Sequence, residues 1–166
     1  NILFTDKTGT LTEGELSVTS IFTDRDDYSS VADMRSRAKQ IFELYRLNAL
    51  YNSSCEVCGS DIVGGNSTEK ALSASLLPSD REMKYRLIEK HPFDSDKKFS
   101  SASVYVGGKC VIYKGAPEKL LPYVSTSFDK NGAQISFDRQ SFMNKMSRFT
   151  RQGARVILCA VGNEEY

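Results

Sequence analysis

The chain has 166 residues, with 22 Lys and Arg against 21 Asp and Glu, a net charge of +1; nothing in that balance points to nucleic acid or an anionic membrane surface as a partner. Hydrophobic residues at 40% and charged residues at 26% are ordinary for a globular protein, and the length suits one domain, or one domain with a fragment of another. No apolar run approaches a membrane span and no signal peptide opens the sequence.

The first run, Asn1-Ile2-Leu3-Phe4, has the apolar character of a buried strand. It leads into Thr5-Asp6-Lys7-Thr8-Gly9-Thr10-Leu11-Thr12, which sets a carboxylate at a strand's C-terminal end, the edge where open α/β sheets carry their chemistry. Lys7 can offset phosphate charge, Thr8 and Thr10 can donate hydrogen bonds, and Gly9 lets the backbone approach an oxyanion closely. Asp6 is thereby a candidate phosphate-accepting nucleophile.

Residues 16–23 read as a strand and 24–29 as a charged connection. Ser30, with Asp33 three residues on, opens a helix whose Met34, Ala38, Ile41 and Tyr45 recur at helical spacing. Ser, Gly, Asn and Cys crowd residues 51–66, which read as loop. Asn66 or Ser67 caps a second helix that stops before Pro78, and a short amphipathic segment spans 81–88. Residues 99–106 and 109–113 flank Gly107-Gly108 as a hairpin. Lys114-Gly115-Ala116-Pro117-Glu118 leaves it for a short helix with Pro117 in the first turn. A second hairpin turns at 129–132, a helix from Asp138 carries Phe142, Met146 and Phe149 on one face and ends near Gly153, and residues 155–161 form the last strand. Hairpins joined by helices predict an α+β fold, an antiparallel β-sheet of about six to seven strands flanked by helices.

Cys110 and Cys159 lie in strand-like runs, while Cys55 and Cys58 form a C-x-x-C that the composition places in a loop. A zinc site needs about four ligands, and the single His91 is far off in sequence, so a plain loop with reduced thiols is expected, which suits a cytosolic compartment. His91 reads as structural or solvated.

The run DKTGTLT resembles the phosphorylation signature of P-type ATPases, ion pumps that form an aspartyl-phosphate from ATP. The order of elements is similar to their nucleotide-binding domain, and further local matches follow. Thr68-Glu69-Lys70-Ala71-Leu72 resembles the segment whose glutamate bonds the adenine amino group. His91-Pro92-Phe93-Asp94-Ser95-Asp96-Lys97-Lys98 resembles the one that supplies a stacking ring and a lysine. Lys114-Gly115-Ala116-Pro117-Glu118 looks like the segment at the back of the adenine pocket, and Arg155 after Gly153-Ala154 like a final phosphate or ribose contact. Ser95 departs from the pattern, standing where animal calcium pumps carry a basic residue; Lys97 can supply that charge.

The resemblance implies residues 1–15 as a piece of the phosphorylation domain and hinge, and 16–166 as the nucleotide-binding domain. It implies ATP held by Glu69, Phe93, Lys98, Lys114, Gly115 and Arg155, and in the parent pump phosphorylation of Asp6 assisted by Lys7 and Thr8, with Mg²⁺ at Asp6 and Thr8. The later aspartate segments that hold magnesium are not in this sequence, so this stretch is expected to bind ATP or ADP weakly and to be inactive alone. The implied partners are the remaining phosphorylation, actuator and transmembrane domains, with no nucleic acid, and the implied location is the cytoplasmic side of an integral plasma-membrane protein. Lys98-Phe99-Ser100-Ser101 leans toward bacterial calcium-pump-like members. Two alternatives stand beside this reading. One is a haloacid-dehalogenase-type phosphatase, disfavoured by Thr8 where a second Asp is usual; the other is a non-catalytic module binding a metal or partner through the Cys55–Cys58 loop.

Overall fold

The computed structural model describes residues 16–59 and 61–162. Asp6, Lys7, Thr8 and the strand expected at residues 1–4 lie outside the described residues. The expected strand at 16–23 is reduced to β1 (Ile21–Phe22), which pairs with β2 (Asp27–Tyr28); the predicted charged connection is thus a tight hairpin. Thr23 Oγ1 closes it by accepting from the Arg25 and Asp26 amides.

Ser30 caps α1 (Val31–Arg37) as expected, its side chain accepting from the Asp33 amide. The predicted single helix is two. Ala38 leaves helical geometry (φ −145°, ψ 70°) and α2 (Lys39–Leu50) follows, yet Met34, Ala38, Phe42 and Tyr45 still form one buried stripe. Neither Gly nor Pro stands at the break, and the local sequence gives no physical reason for it.

The stretch predicted as loop carries an antiparallel ribbon, β3 (Cys55–Cys58) and β4 (Asp61–Gly64), before α3 (Ser67–Ala74). A single turn at Pro78–Asp80 precedes the predicted amphipathic segment at 81–88, which is irregular as far as Tyr85 and then enters an exposed edge strand, β5 (Arg86–His91). The hairpin β6 (Phe99–Tyr105) and β7 (Lys109–Gly115) turns through Gly107 at φ 71°, as its two glycines predict. Pro117 opens α4 (Pro117–Leu120). A short ribbon of β8 (Thr126–Phe128) and β9 (Gln134–Ser136), α5 (Arg139–Arg151) capped by Asp138, and β10 (Leu158–Gly162) complete the chain.

The architecture is the expected antiparallel α+β, but the central sheet has four strands where about six to seven are expected, because the other described strands pair only with each other. Among the described residues one sheet has four strands in the order β10-β7-β6-β5, and the remaining strands pair off in ribbons of two. Strand alternation divides the sheet into two faces. Ala102, Val104 and Ile112 pack under α1, α2 and α3 with Met34, Phe42 and Leu72, whereas Val111, Tyr113 and Leu158 pack with Leu120, Leu121 and Phe142 on the other side. Fully burying a side chain such as Met34 or Phe42 contributes about 1.5–3 kcal/mol. Lys114, between Tyr113 and Gly115, belongs by parity to the face under α2 and α3. No helix among the described residues is long and apolar enough to cross a membrane.

Candidate functional site

A buried ion pair lies where two helices end. Asn66 caps α3 with a reciprocal pair of bonds: the Glu69 amide donates to Asn66 Oδ1 (3.0 Å) and the Asn66 amide donates to Glu69 Oε2 (3.2 Å). Gly65, at φ 63°, makes this turn possible, since a Cβ there would fall 3.0 Å from Glu69 Oε2 and 2.4 Å from Cys55 Sγ. The other carboxylate oxygen, Oε1, is 3.5 Å from Lys114 Nζ, with both side chains 6% exposed. Lys114 Nζ also donates to the main-chain carbonyl of Asn52, just beyond the end of α2. The carboxylate therefore sits at a helix N-terminus and the cation at a helix C-terminus, each on the dipole end that favours it. Burial pushes the Lys114 ammonium below the usual lysine range, and Glu69 opposes that shift. Cys159 is the register partner of Lys114; burial pushes its thiol up to about 11, with Lys114 acting in the opposite sense.

Gly115 is required by the chain itself. A Cβ there would lie 2.4 Å from Phe99 Cβ and 2.5 Å from the Lys98 carbonyl, and that carbonyl accepts from the Ala116 amide at 2.9 Å. The space beside Gly115 on that side is thus filled by the backbone of residues 98–99. The segment before it is a tight turn. Asp94 Oδ1 accepts from the Asp96 and Lys97 amides, which holds its carboxyl below the usual range, and Lys98 takes φ 64°. Phe93 at the root of this turn is 50% exposed and Lys98 is exposed, so both present side chains outward.

Arg155, beyond the Gly153 stop of α5, donates from Nη1 to Thr68 Oγ1 at 3.3 Å, beside Glu69. A cleft of about 1480 Å³ opens next to this cluster and is bordered there by Thr68, Lys97, Phe99, Tyr113, Arg155 and Cys159. Of the residues expected to hold nucleotide, Arg155 lines this cleft; Glu69, Phe93, Lys98, Lys114 and Gly115 do not, although Glu69, Lys98 and Lys114 each adjoin a lining residue in sequence. The fold joins Glu69 to Lys114, Lys98 to the Gly115–Ala116 turn, and Arg155 to the start of α3; Phe93 stands on the adjoining turn. Asn52 was not legible as a member of this cluster, because a lone Asn in a Ser- and Cys-rich stretch reads as loop.

Cys55 and Cys58 are three apart in β3, where odd offsets send side chains to opposite faces, so this backbone cannot close them on one metal ion or into one disulfide. Cys55 Sγ instead contacts the Gly64 carbonyl at 3.7 Å. His91 is half exposed and 3.3 Å from Glu89 on the edge strand, the solvated position expected for it.

Residues 40–166 match a family model described as P-type ATPase, cytoplasmic domain N. The chain belongs to this family. That membership favours the ATPase-domain reading over the phosphatase. Among curated proteins the chain is similar to "Calcium-transporting ATPase type 2C member 1" of Homo sapiens, 25% identical over 99% of this chain and 20% of that protein. It is likewise similar to "Calcium-transporting ATPase 1" of Yarrowia lipolytica, 25% identical over 100% and 21%, and to "Calcium-transporting ATPase 1" of Bacillus cereus, 28% identical over 94% and 18%. The chain spans about a fifth of the length of these relatives. They come from an animal, a yeast and a bacterium, which gives no preference for a bacterial source.

Proposed function

We propose that this N domain, residues 16–166, binds ATP or ADP for a calcium-transporting P-type ATPase, in which Asp6 of the preceding segment is the residue phosphorylated. The observation that supports the reading is the buried Glu69–Lys114 pair, flanked in sequence by the cleft-lining Thr68 and Tyr113, in a chain of this family. Glu69 Oε1 offers an acceptor to an exocyclic amino group, and Lys114 Nζ a buried donor. The exposed Phe93 ring offers a stacking face, and Lys98 and Arg155 offer exposed cations for phosphates. Calcium is favoured because the relatives' names carry it, and the parent is then an integral membrane protein with this domain on its cytoplasmic side.

Bound ATP supplies the γ-phosphoryl group and its leaving group. The chain's own part is to bind the base in a dry corner, to orient the phosphates outward, and to leave transfer to the parent's phosphorylation domain. Asp6, Lys7 and Thr8, with Mg²⁺ at Asp6 and Thr8, would act there, together with actuator and membrane domains outside this chain. The N domain alone is therefore a nucleotide-binding unit without turnover.

Titration of the ¹⁵N- and ¹³C-labelled chain with ATP and ADP tests this. Perturbations should cluster at Glu69, Phe93, Lys98, Lys114 and Arg155. Silence at those residues at millimolar nucleotide overturns the reading.

A further inference from the structure

Asn52 follows the last residue of α2's cap and is 1% exposed. Its side-chain amide donates to Asn48 Oδ1 in α2 (3.2 Å), to the Ser100 carbonyl in β6 (3.2 Å) and to the Ile112 carbonyl in β7 (3.5 Å). Ser100 is the register partner of Lys114, and Ile112 lies two residues before it on the same face. The side chain thus pins the end of α2 to both strands beside Lys114, and the Asn52 main-chain carbonyl is left accepting from Lys114 Nζ. Asn52 Oδ1 is buried without a hydrogen-bond partner among the described residues, a cost that the amide's contacts with Asn48, Ser100 and Ile112 offset. Those contacts fix the place of the Asn52 main-chain carbonyl beside Lys114.

We infer that Asn52 is a positioning residue of the nucleotide pocket, fixing where Lys114 Nζ meets a bound adenine nucleotide. The inference rests on the nucleotide reading above and extends it to a residue that does not itself touch ligand. The charged and titratable groups facing Lys114 are Glu69 from α3, Cys159 from β10 and Cys55 from β3. The Asn52 carbonyl, from the end of α2, holds the ammonium without charge.

The test follows the Lys114 Cε and Nζ resonances in chain labelled with ¹³C,¹⁵N-lysine, first without ligand and then with ATP. Asn52→Ala removes the side-chain tethers. Exchange of the Lys114 ammonium protons should quicken about tenfold, its titration midpoint should move down, and ATP affinity should fall about tenfold. Asn48→Ala removes one of the amide's three acceptors and should change each readout by less than about threefold. If Asn52→Ala does not fold, Asn52→Ser keeps one hydroxyl donor and should give an intermediate effect. Lys114 signals unchanged in a folded Asn52 variant overturn the inference, as does a Lys114 response with ATP affinity intact. A Lys114 response when the unaltered chain binds no ATP supports the positioning of Lys114 and overturns the nucleotide reading instead.

Discussion

Glu69 and Lys114 meet at 3.5 Å across the gap between the start of α3 and the strand that leaves the central hairpin. Forty-five positions of sequence separate them, and each lies at the helix end whose dipole favours its charge. Desolvation of both partners makes the pair costly to break from one side and cheap to replace as a unit.

Lys114→Met should therefore lower unfolding stability by about 3–5 kcal/mol in urea, since it strands the buried Glu69 carboxylate. The double variant Glu69→Gln with Lys114→Met, which keeps an acceptor for the Asn66 amide, should recover most of that loss and still bind no nucleotide. A double variant as unstable as the single one would contradict a pair in which each charge is compensated by the other.

Phe93→Ala should behave oppositely. The ring is half exposed, so stability should change by less than about 0.5 kcal/mol, whereas ATP affinity should fall roughly tenfold as a stacking face is lost. Calorimetric titration beside a thermal melt reads both quantities; unchanged affinity removes Phe93 from the site.

Gly115→Ala forces a Cβ against the Phe99 and Lys98 backbone, so the β6–β7 pairing must shift. About 2–3 kcal/mol of stability should be lost, together with nucleotide binding. Gly108→Ala, on the exposed turn with nothing within 4 Å of the new methyl, should be near neutral. Chemical denaturation of the two variants makes the comparison.

Alkaline pH should weaken the fold through Cys159. Its thiol is raised in the folded state to about 11 from 9.0, so the unfolded chain loses its proton first, and stability declines as pH rises through that window. Lys114 acts in the opposite sense, because its folded value is lowered and the unfolded chain holds the proton longer. Cys159→Ala should remove the Cys159 share of the decline between pH 9 and 11, measured by urea midpoints at each pH. An identical pH profile in the variant would refute the assignment.

Where local chemistry decides geometry, the sequence was readable. Ser30 and Asn66 start α1 and α3 by accepting from the amides three residues on, Gly107-Gly108 turns the hairpin, Pro117 starts α4, and Gly153 follows the end of α5. Periodicity likewise picks out Met34, Ala38 and Tyr45 as buried, while Ile41 of the same stripe is only part-buried. The β3–β4 ribbon and the β1–β2 hairpin escaped, because strands of two to four residues carry too little alternation to outweigh their Ser, Gly and Asp neighbours, whereas the equally short β8–β9 hairpin was legible from its Asn131-Gly132 turn.

By itself the sequence determined the family, through DKTGTLT and Lys114-Gly115-Ala116-Pro117-Glu118, and the local order of caps and turns. Only the tertiary structure decided what touches what: Glu69 against Lys114, the Asn52 carbonyl against the same ammonium, Arg155 against Thr68. The reason is separation along the chain. A cap or a two-glycine turn is settled within four residues, whereas a buried cation finds its carboxylate and carbonyl only after α2, α3 and the sheet have closed over it.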